Sequence, residues 1–439
     1  MRFLLLFHLP LLYVVAFSTV AQADTSVERE RALVAAVDSR TDAALELLER
    51  AVNINSGTMN FDGVQRVGKI FMREFEALGF EVEWLPGESF RRAGHLVARR
   101  HRDGPRVLLV GHLDTVFPAD SGFQRFEILD RETARGPGTT DMKGGNVIML
   151  EAVRALDTIG ALDDLSVTAV LTGDEETAGE PLSLARKALI DAAVWADYAI
   201  GFEDGDSNPE TVVVARRGSV DWELTVTGKP AHSSQVFQPE YGYGAVYEAA
   251  RILNAFRERL EKMELLTVNP GIISGGTSVD YEPGNGGTAR GKYNVIAETV
   301  RASGDLRTIS PRQLDEARDV MRSIVADNLP HTAATIEFGE GYPPMAASDG
   351  NMALLKMYDA VSRDLGFGPV RAVDPRNAGA ADISFTAEHV AMAIDGVGLM
   401  GSGGHTVDET ADLRTLPMQA KRAAVLLLRL SEREIPRRP

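Results

Sequence analysis

Three short aliphatic runs set the architecture of this chain: Val107 to Val110, Val167 to Leu171 and Tyr198 to Phe202. An apolar helical stretch from about Val147 to Leu156 lies between the first two. Ahead of them, Val64, Val67, Ile70, Phe71, Phe75 and Leu78 recur at helical spacing, and Gly79 stops the pattern. Strands alternating with helices predict an α/β fold, a mixed, largely parallel sheet covered by helices on both faces. The 439 residues, 44% hydrophobic and 25% charged, are those of a globular chain with room for two or three domains.

The rhythm changes at about Gly218. Val220 to Val226 alternates as a half-exposed strand, a helix follows from about Ala245 to Leu260, and strand-like runs come near Leu265 to Ile273 and Val295 to Leu306. Ser310 as N-cap with Pro311 in the first turn starts a helix whose Leu314, Ala317, Met321 and Ile324 share a face. A last strand is expected from about Ala333 to Phe338. The order βαββαβ is the ferredoxin-like split unit, here a module inserted into the α/β domain. The first rhythm then returns, with helices near Asn351 to Leu365 and Met418 to Leu430. The glycine-rich stretches Gly284 to Gly291 and Gly401 to Gly404 read as loops. The expected division is a leader over 1–23, the main domain over 24–217 and 339–439, and the insert over 218–338.

The N-terminus reads as an address. Arg2 gives a short positive region, Phe3 to Val20 is almost wholly apolar, and Ala21-Gln22-Ala23 has the small-x-small form of a cleavage site. A secretory signal removed after Ala23 predicts export to a periplasmic or secreted location, with no membrane attachment afterwards. The alternative is an uncleaved anchor. The chain has no cysteine, so any metal must be held by His, Asp and Glu. A formal net charge of −17 argues against a nucleic-acid partner and suits divalent cations.

The chemistry-bearing residues gather where runs end. Val107-Leu-Leu-Val-Gly-His112-Leu-Asp114 places an imidazole and a carboxylate two residues apart, on one side of an extended chain. Asp114 can then take the His112 ring N–H that faces away from a metal. Gly136-Pro-Gly-Thr-Thr-Asp141-Met-Lys-Gly-Gly145 holds a carboxylate in a glycine-rich loop before a helix, suited to bridging cations or to an ordinary helix cap. Leu171-Thr-Gly-Asp174-Glu175-Glu176 crowds three acids, which costs stability unless something positive sits among them. Phe202-Glu203-Asp204 is again acidic at a run's end, and Gly403-Gly404-His405 exposes a histidine between small neighbours. Ligands of open α/β sheets gather outside the carboxyl ends of strands, where most of these residues fall.

In these motifs and their order the chain resembles the co-catalytic zinc peptidase and deacylase family. That family includes bacterial glutamate carboxypeptidase, acetylornithine deacetylase, succinyl-diaminopimelate desuccinylase and the aminoacylases. The likeness spans essentially the whole chain after the leader, and export brings it nearest to the glutamate carboxypeptidase branch. It implies two zinc ions per subunit, with other divalent metals as alternatives, bridged by Asp141. His112 and Glu203 complete one site, and Glu176 and His405 the other. Glu175 is implied as general base to a metal-activated water, with Asp114 supporting His112. In the insert, a lid and dimerisation domain in the family, Gly228-Lys-Pro-Ala-His232-Ser matches the histidine that steadies the carbonyl oxygen in the partner's site. Asn294 in Tyr-Asn-Val-Ile and Arg307 in Gly-Asp-Leu-Arg match lid positions that contact substrate oxygens or its carboxylate.

The implied enzyme is a homodimeric carboxypeptidase or dipeptidase that cuts a peptide or amide bond beside a free carboxylate. An N-acyl-amino-acid deacylase is the alternative, followed by a silent binding protein on the same scaffold. Glu340-Gly-Tyr-Pro-Pro-Met345 opens the second part of the main domain without a basic residue, which leaves specificity for a C-terminal glutamate without a dedicated arginine. Asp382 in Ala-Ala-Asp-Ile-Ser either lines the pocket or caps a buried helix.

Overall fold

A computed structural model describes residues 26–282 and 285–433. The leader expected over 1–23, with its expected cleavage after Ala23, lies outside the described residues. Among those described, no helix is long and apolar enough to cross a membrane.

The strands that frame the site, in chain order, are β1 (Glu81–Pro86), β2 (Gly94–Arg100), β3 (Arg106–His112), β4 (Ser166–Thr172), β5 (Tyr198–Gly201), β6 (Gly218–Gly228), β7 (Thr267–Gly276), β8 (Thr299–Thr308), β9 (Thr332–Tyr342) and β10 (Met392–Ile394). The main sheet has the order β1-β2-β4-β3-β5-β10. Strands β4, β3, β5 and β10 are parallel neighbours, while β1 and β2 form an antiparallel edge. The aliphatic runs thus become the parallel centre. Periodicity singled out neither β1 nor β2, because β1 is half-exposed and mixes Glu81 and Glu83 with Val82 and Trp84.

Both faces of this sheet are buried, as continuous apolar strands require. Val107, Leu109, Ala169, Leu171 and Ile200 join a core under the Thr41–Val52, Phe61–Ala77, Gly144–Thr158 and Thr415–Ser431 helices. Leu108, Val110, Val170 and Ala199 face the opposite way, onto the Lys187–Trp195 helix. Alternation of neighbours between the two cores is the period of an extended chain. Gly145 lets the Gly144–Thr158 helix start hard against the sheet, since a Cβ there would lie 1.9 Å from the Phe202 carbonyl oxygen.

The insert forms its own four-stranded antiparallel sheet, ordered β7-β8-β6-β9, which is the ferredoxin-like arrangement. Val220, Trp222, Leu224 and Val226 of β6 are buried beneath the Gly244–Leu260 and Pro311–Ala326 helices, with Trp222 edge-on to Phe256. The second helix starts as its sequence dictates: the Ser310 hydroxyl accepts the Gln313 N–H at 3.2 Å, and Pro311 follows. Strand β9 runs to Tyr342, past Phe338. The stretch read as a loop over Gly284 to Gly291 instead contains a strand, Gly286–Arg290, paired with Ser278–Glu282. Glycine there serves close approach as well as turning, since a Cβ on Gly287 would meet the Asp280 carbonyl oxygen at 2.1 Å. Likewise Gly401–Ser402 pairs with the Thr410–Asp412 strand, and only the residues after it form a turn.

The chain crosses into the insert after Arg216 and returns through Met345. These two residues pair with each other, Arg216 N–H to Met345 O at 2.9 Å and Met345 N–H to Arg216 O at 3.0 Å.

Candidate metal centre

The parallel strands end together, and their ends supply most of the site. His112 closes β3, the acids Asp174 to Glu176 follow β4, and Glu203 follows β5. Strand β3 lies between β4 and β5, so the three ends converge beyond one edge of the sheet. Asp141 comes from the turn before the Gly144–Thr158 helix, and His405 from the turn after Gly401–Ser402.

Asp141 stands between two imidazoles. Its Oδ1 is 3.0 Å from Nε2 of His112, and its Oδ2 is 2.8 Å from Nε2 of His405. Glu203 Oε1 lies 3.3 Å from His112 Nε2, and Glu176 Oε2 lies 3.3 Å from His405 Nε2. Two trios therefore share one aspartate: His112, Asp141 and Glu203 on one side, and His405, Asp141 and Glu176 on the other. Ligand atoms of His112, Asp141 and Glu176 fall within 4.8 Å of one another. His112 is buried, whereas His405 is 59% exposed and opens the centre to solvent.

The electrostatics are those of crowded acids. Burial pushes Glu176 up to about 7, and burial with nearby acids lifts Glu175 well above the carboxylate range. Burial also raises Asp204 to about 8, with Asp141 and Glu203 adding to it. Hydrogen bonds to Asp141 and Glu176 hold the His405 ring up to about 11. Burial opposes a charged His112 ring, but Glu203, Asp114 and Asp141 outweigh it and keep its pKa well above the usual value. Ring nitrogens and carboxylate oxygens that converge at hydrogen-bond distance, without a thiolate, form a donor set that fits catalytic divalent metal.

Asp114 is fully buried and does more than face His112. Nδ1 of His112 is 3.1 Å from its carbonyl oxygen and 3.4 Å from Oδ1. The same carboxylate accepts the backbone N–H of Glu175 at 3.0 Å, that of Glu176 at 3.2 Å and the Thr58 hydroxyl at 2.6 Å.

The residues expected to act from the insert lie apart from this cluster. His232 is exposed, its Nδ1 2.9 Å from the Ser234 hydroxyl, and the neighbouring Ser233 N–H donates to the Asn294 carbonyl. Arg307 Nε donates to Asp305 at 2.9 Å. Register places Thr267, Arg307, Ser219 and Tyr342 in one row across the insert's sheet.

Glu409 and Asp395 support the site without having been expected from the sequence, whereas Asp382 was named there with two alternatives. Glu409, fully buried, accepts the N–H groups of Gly138 and Thr140 at 2.9 Å and the hydroxyls of Thr139 and Thr140 at 3.2 Å, so it builds the turn that carries Asp141. Asp395 Oδ1 accepts the Glu203 N–H at 3.2 Å while its Oδ2 takes both Nε and Nη2 of Arg216. Asp382 neither lines an open pocket nor caps its short helix. It is buried, takes the Thr172 hydroxyl at 2.6 Å and pairs with Arg186 at 2.7 Å. Glu409, four residues after His405, is the one whose position could have drawn notice; the others carry no local pattern.

The sequence pattern of Peptidase family M20/M25/M40 matches residues 108–429. Carboxypeptidase G2 of Pseudomonas sp. (strain RS-16) is 25% identical over 421 residues, covering 95% of this chain and 96% of that protein. Succinyl-diaminopimelate desuccinylase of Acidiphilium cryptum (strain JF-5) is 27% identical over 370 residues, covering 82% of this chain and 91% of the relative. Among solved structures, the Bacillus subtilis YXEP protein, described as a dinuclear metal binding peptidase from M20 family, superposes with a TM-score of 0.63 at 16% identity, over 90% of this chain and 99% of that one. The converging donor set and a family match over most of the chain lead to one assignment: this protein belongs to peptidase family M20/M25/M40, a family of metallopeptidase hydrolases.

Proposed function

We propose that the chain is an exported, homodimeric carboxypeptidase or dipeptidase that cuts the peptide or amide bond beside a free carboxylate, using two zinc ions per subunit. The observation that carries this reading is Asp141 between His112 and His405, each histidine with its own glutamate. His112, Asp141 and Glu203 would hold one ion, and His405, Asp141 and Glu176 the other. When bound, such ions lower the pKa of water towards neutrality and polarise a scissile carbonyl.

The chain's own groups supply the rest. Glu175 sits beside the cluster, with its N–H fixed by Asp114, so its carboxylate can take a proton from the attacking water and deliver it to the leaving nitrogen. Arg307, on the lid row that ends at Tyr342, offers a planar fork for the substrate carboxylate. His232 is exposed and held within its own lid, which suits delivery to the active site of a partner copy. The leader over 1–23 would direct export to the periplasm or beyond.

The likeness to the desuccinylase favours a second reading, an N-acyl-amino-acid deacylase. A hydrolysis screen of the zinc-loaded mature protein separates the two by varying the C-terminal residue and the acyl group independently. Cleavage of dipeptides bearing a free carboxylate supports the first reading and cleavage of acyl amino acids alone the second. If neither class is cleaved, both fail. Sedimentation should give a dimer; a fully active monomer would refute the role of His232.

A further inference from the structure

The loop that carries Glu175 is held from two directions, and one of them is the lid. On the catalytic side, Asp114 accepts the Glu175 N–H. Asp174 accepts the Gly179 N–H and Nη1 of Arg186, each at 2.7 Å. Arg186 is completely buried, and its Nη2 reaches both the Asp174 carbonyl at 3.1 Å and the Tyr342 hydroxyl at 2.6 Å. The hydroxyl in turn lies 2.7 Å from the Glu175 carbonyl oxygen. Tyr342 is the last residue of β9 and belongs to the lid.

Chemistry sets the direction of these bonds. A guanidinium has donors and no acceptor, so the Tyr342 proton cannot point at Arg186 and must go to the Glu175 carbonyl. Burial keeps the phenol well above its ordinary pKa, so it remains a donor. Arg186, paired with Asp174 and Asp382, keeps its charge and polarises the hydroxyl it donates to. The Tyr342 ring packs edge-on to Phe385 at 5.1 Å, which fixes its aim.

We propose that Tyr342 is a positioning residue for Glu175, by which the lid's last strand sets the backbone of the catalytic loop. This rests on the reading of Glu175 as general base. With Asp114 on its N–H and Tyr342 on its carbonyl, the residue is held at both peptide groups, which limits where its carboxylate can point. Tyr342 lies three residues before Met345, where the returning chain pairs with Arg216. At about 3.3 Å per residue that is roughly 10 Å from the crossing, so a lid rotation of about 15° would carry the hydroxyl roughly 2–3 Å and break the bond. The setting of the base therefore depends on the setting of the lid.

Tyr342→Phe tests this, because it removes the hydroxyl and keeps the ring on Phe385 and Arg186. The expected result is a fall in kcat of about 10- to 100-fold with KM within about twofold, since a misaimed base costs the chemical step more than binding. Zinc content should be unchanged. Hydrogen exchange should show backbone amides over 173–179 exchanging faster than in the wild type. In a Glu175→Gln background the same substitution should add no further loss, whereas a structural role would repeat the full factor. Unchanged kcat, a loss confined to KM, or unchanged exchange over 173–179 would each overturn the proposal. If Glu175→Gln alone retained the wild-type rate, the reading of the base would fail, and the exchange result would still judge the Tyr342 contact by itself.

Discussion

Oδ2 of Asp141 lies 2.8 Å from Nε2 of His405, across 264 positions of sequence. The other oxygen of the same carboxylate faces His112. An aspartate placed in this way belongs to both halves of the centre, while His405 belongs to one.

That asymmetry predicts different metal losses. His405→Ala should retain a single ion, and Asp141→Ala should retain none. Metal analysis by mass spectrometry after dialysis checks this. Equal stoichiometry in the two variants would contradict a shared Asp141.

Glu175 touches neither histidine in the hydrogen-bonding pattern of the centre, so its removal should spare metal binding. Glu175→Gln is expected to keep the wild-type metal content and lower kcat by about 10²- to 10⁴-fold, the range for a lost general base. Steady-state rates beside metal analysis decide it. A variant that turns over near the wild-type rate would remove Glu175 from the chemistry.

Glu409 is buried and gathers donors from Gly138, Thr139 and Thr140. Glu409→Ala takes the acceptor from the Gly138 and Thr140 N–H groups, while the Thr139 hydroxyl keeps the Gly136 carbonyl at 2.8 Å, and should cost about 3 kcal/mol of stability. Because Asp141 rides on the same turn, metal affinity should fall about 10- to 100-fold. Urea unfolding of the metal-free protein and a competition titration with a chelator measure the two effects separately.

His95 offers a pH dependence from a group outside the proposed ligand set. It is buried, its Nε2 2.7 Å from the Ala185 carbonyl, and its Nδ1 accepts the Gly173 N–H. Burial lowers its pKa below the ordinary 6.5, with nearby Asp174 opposing the shift. The unfolded chain therefore takes up a proton, as pH falls through 6.5, that the folded chain resists. Stability from this group is present above 6.5 and is lost as pH falls towards the depressed value. His95→Gln should flatten the acid side of the stability profile, measured by urea unfolding between pH 7.5 and 5.5. An unchanged slope would exclude His95 as its source.

The three aliphatic runs were legible because burial on both faces writes continuous apolar sequence into a strand, and Ser310 with Pro311 because a helix start is chemically local. His112, Asp114, Glu176 and Glu203 could be placed near one another because all lie at or just after the ends of parallel strands in one sheet. The insert's strand order was legible too, yet Gly286–Arg290 was hidden, because glycine signals turns and close strand approach alike.

Arg186, Tyr342 and Glu409 left no such trace. The Tyr342 hydroxyl meets its carbonyl 167 positions away, and Glu409 meets the Gly138 N–H 271 positions away. Periodicity and spacing report which way a side chain faces over one or two turns of chain, so the amino-acid order alone determined the three central strands of the sheet, the insert and the donors available for metal. Which buried group answers which backbone N–H or carbonyl was decided only when the insert's returning strand and the last turns packed against the site, because that depends on distances the chain acquires by packing.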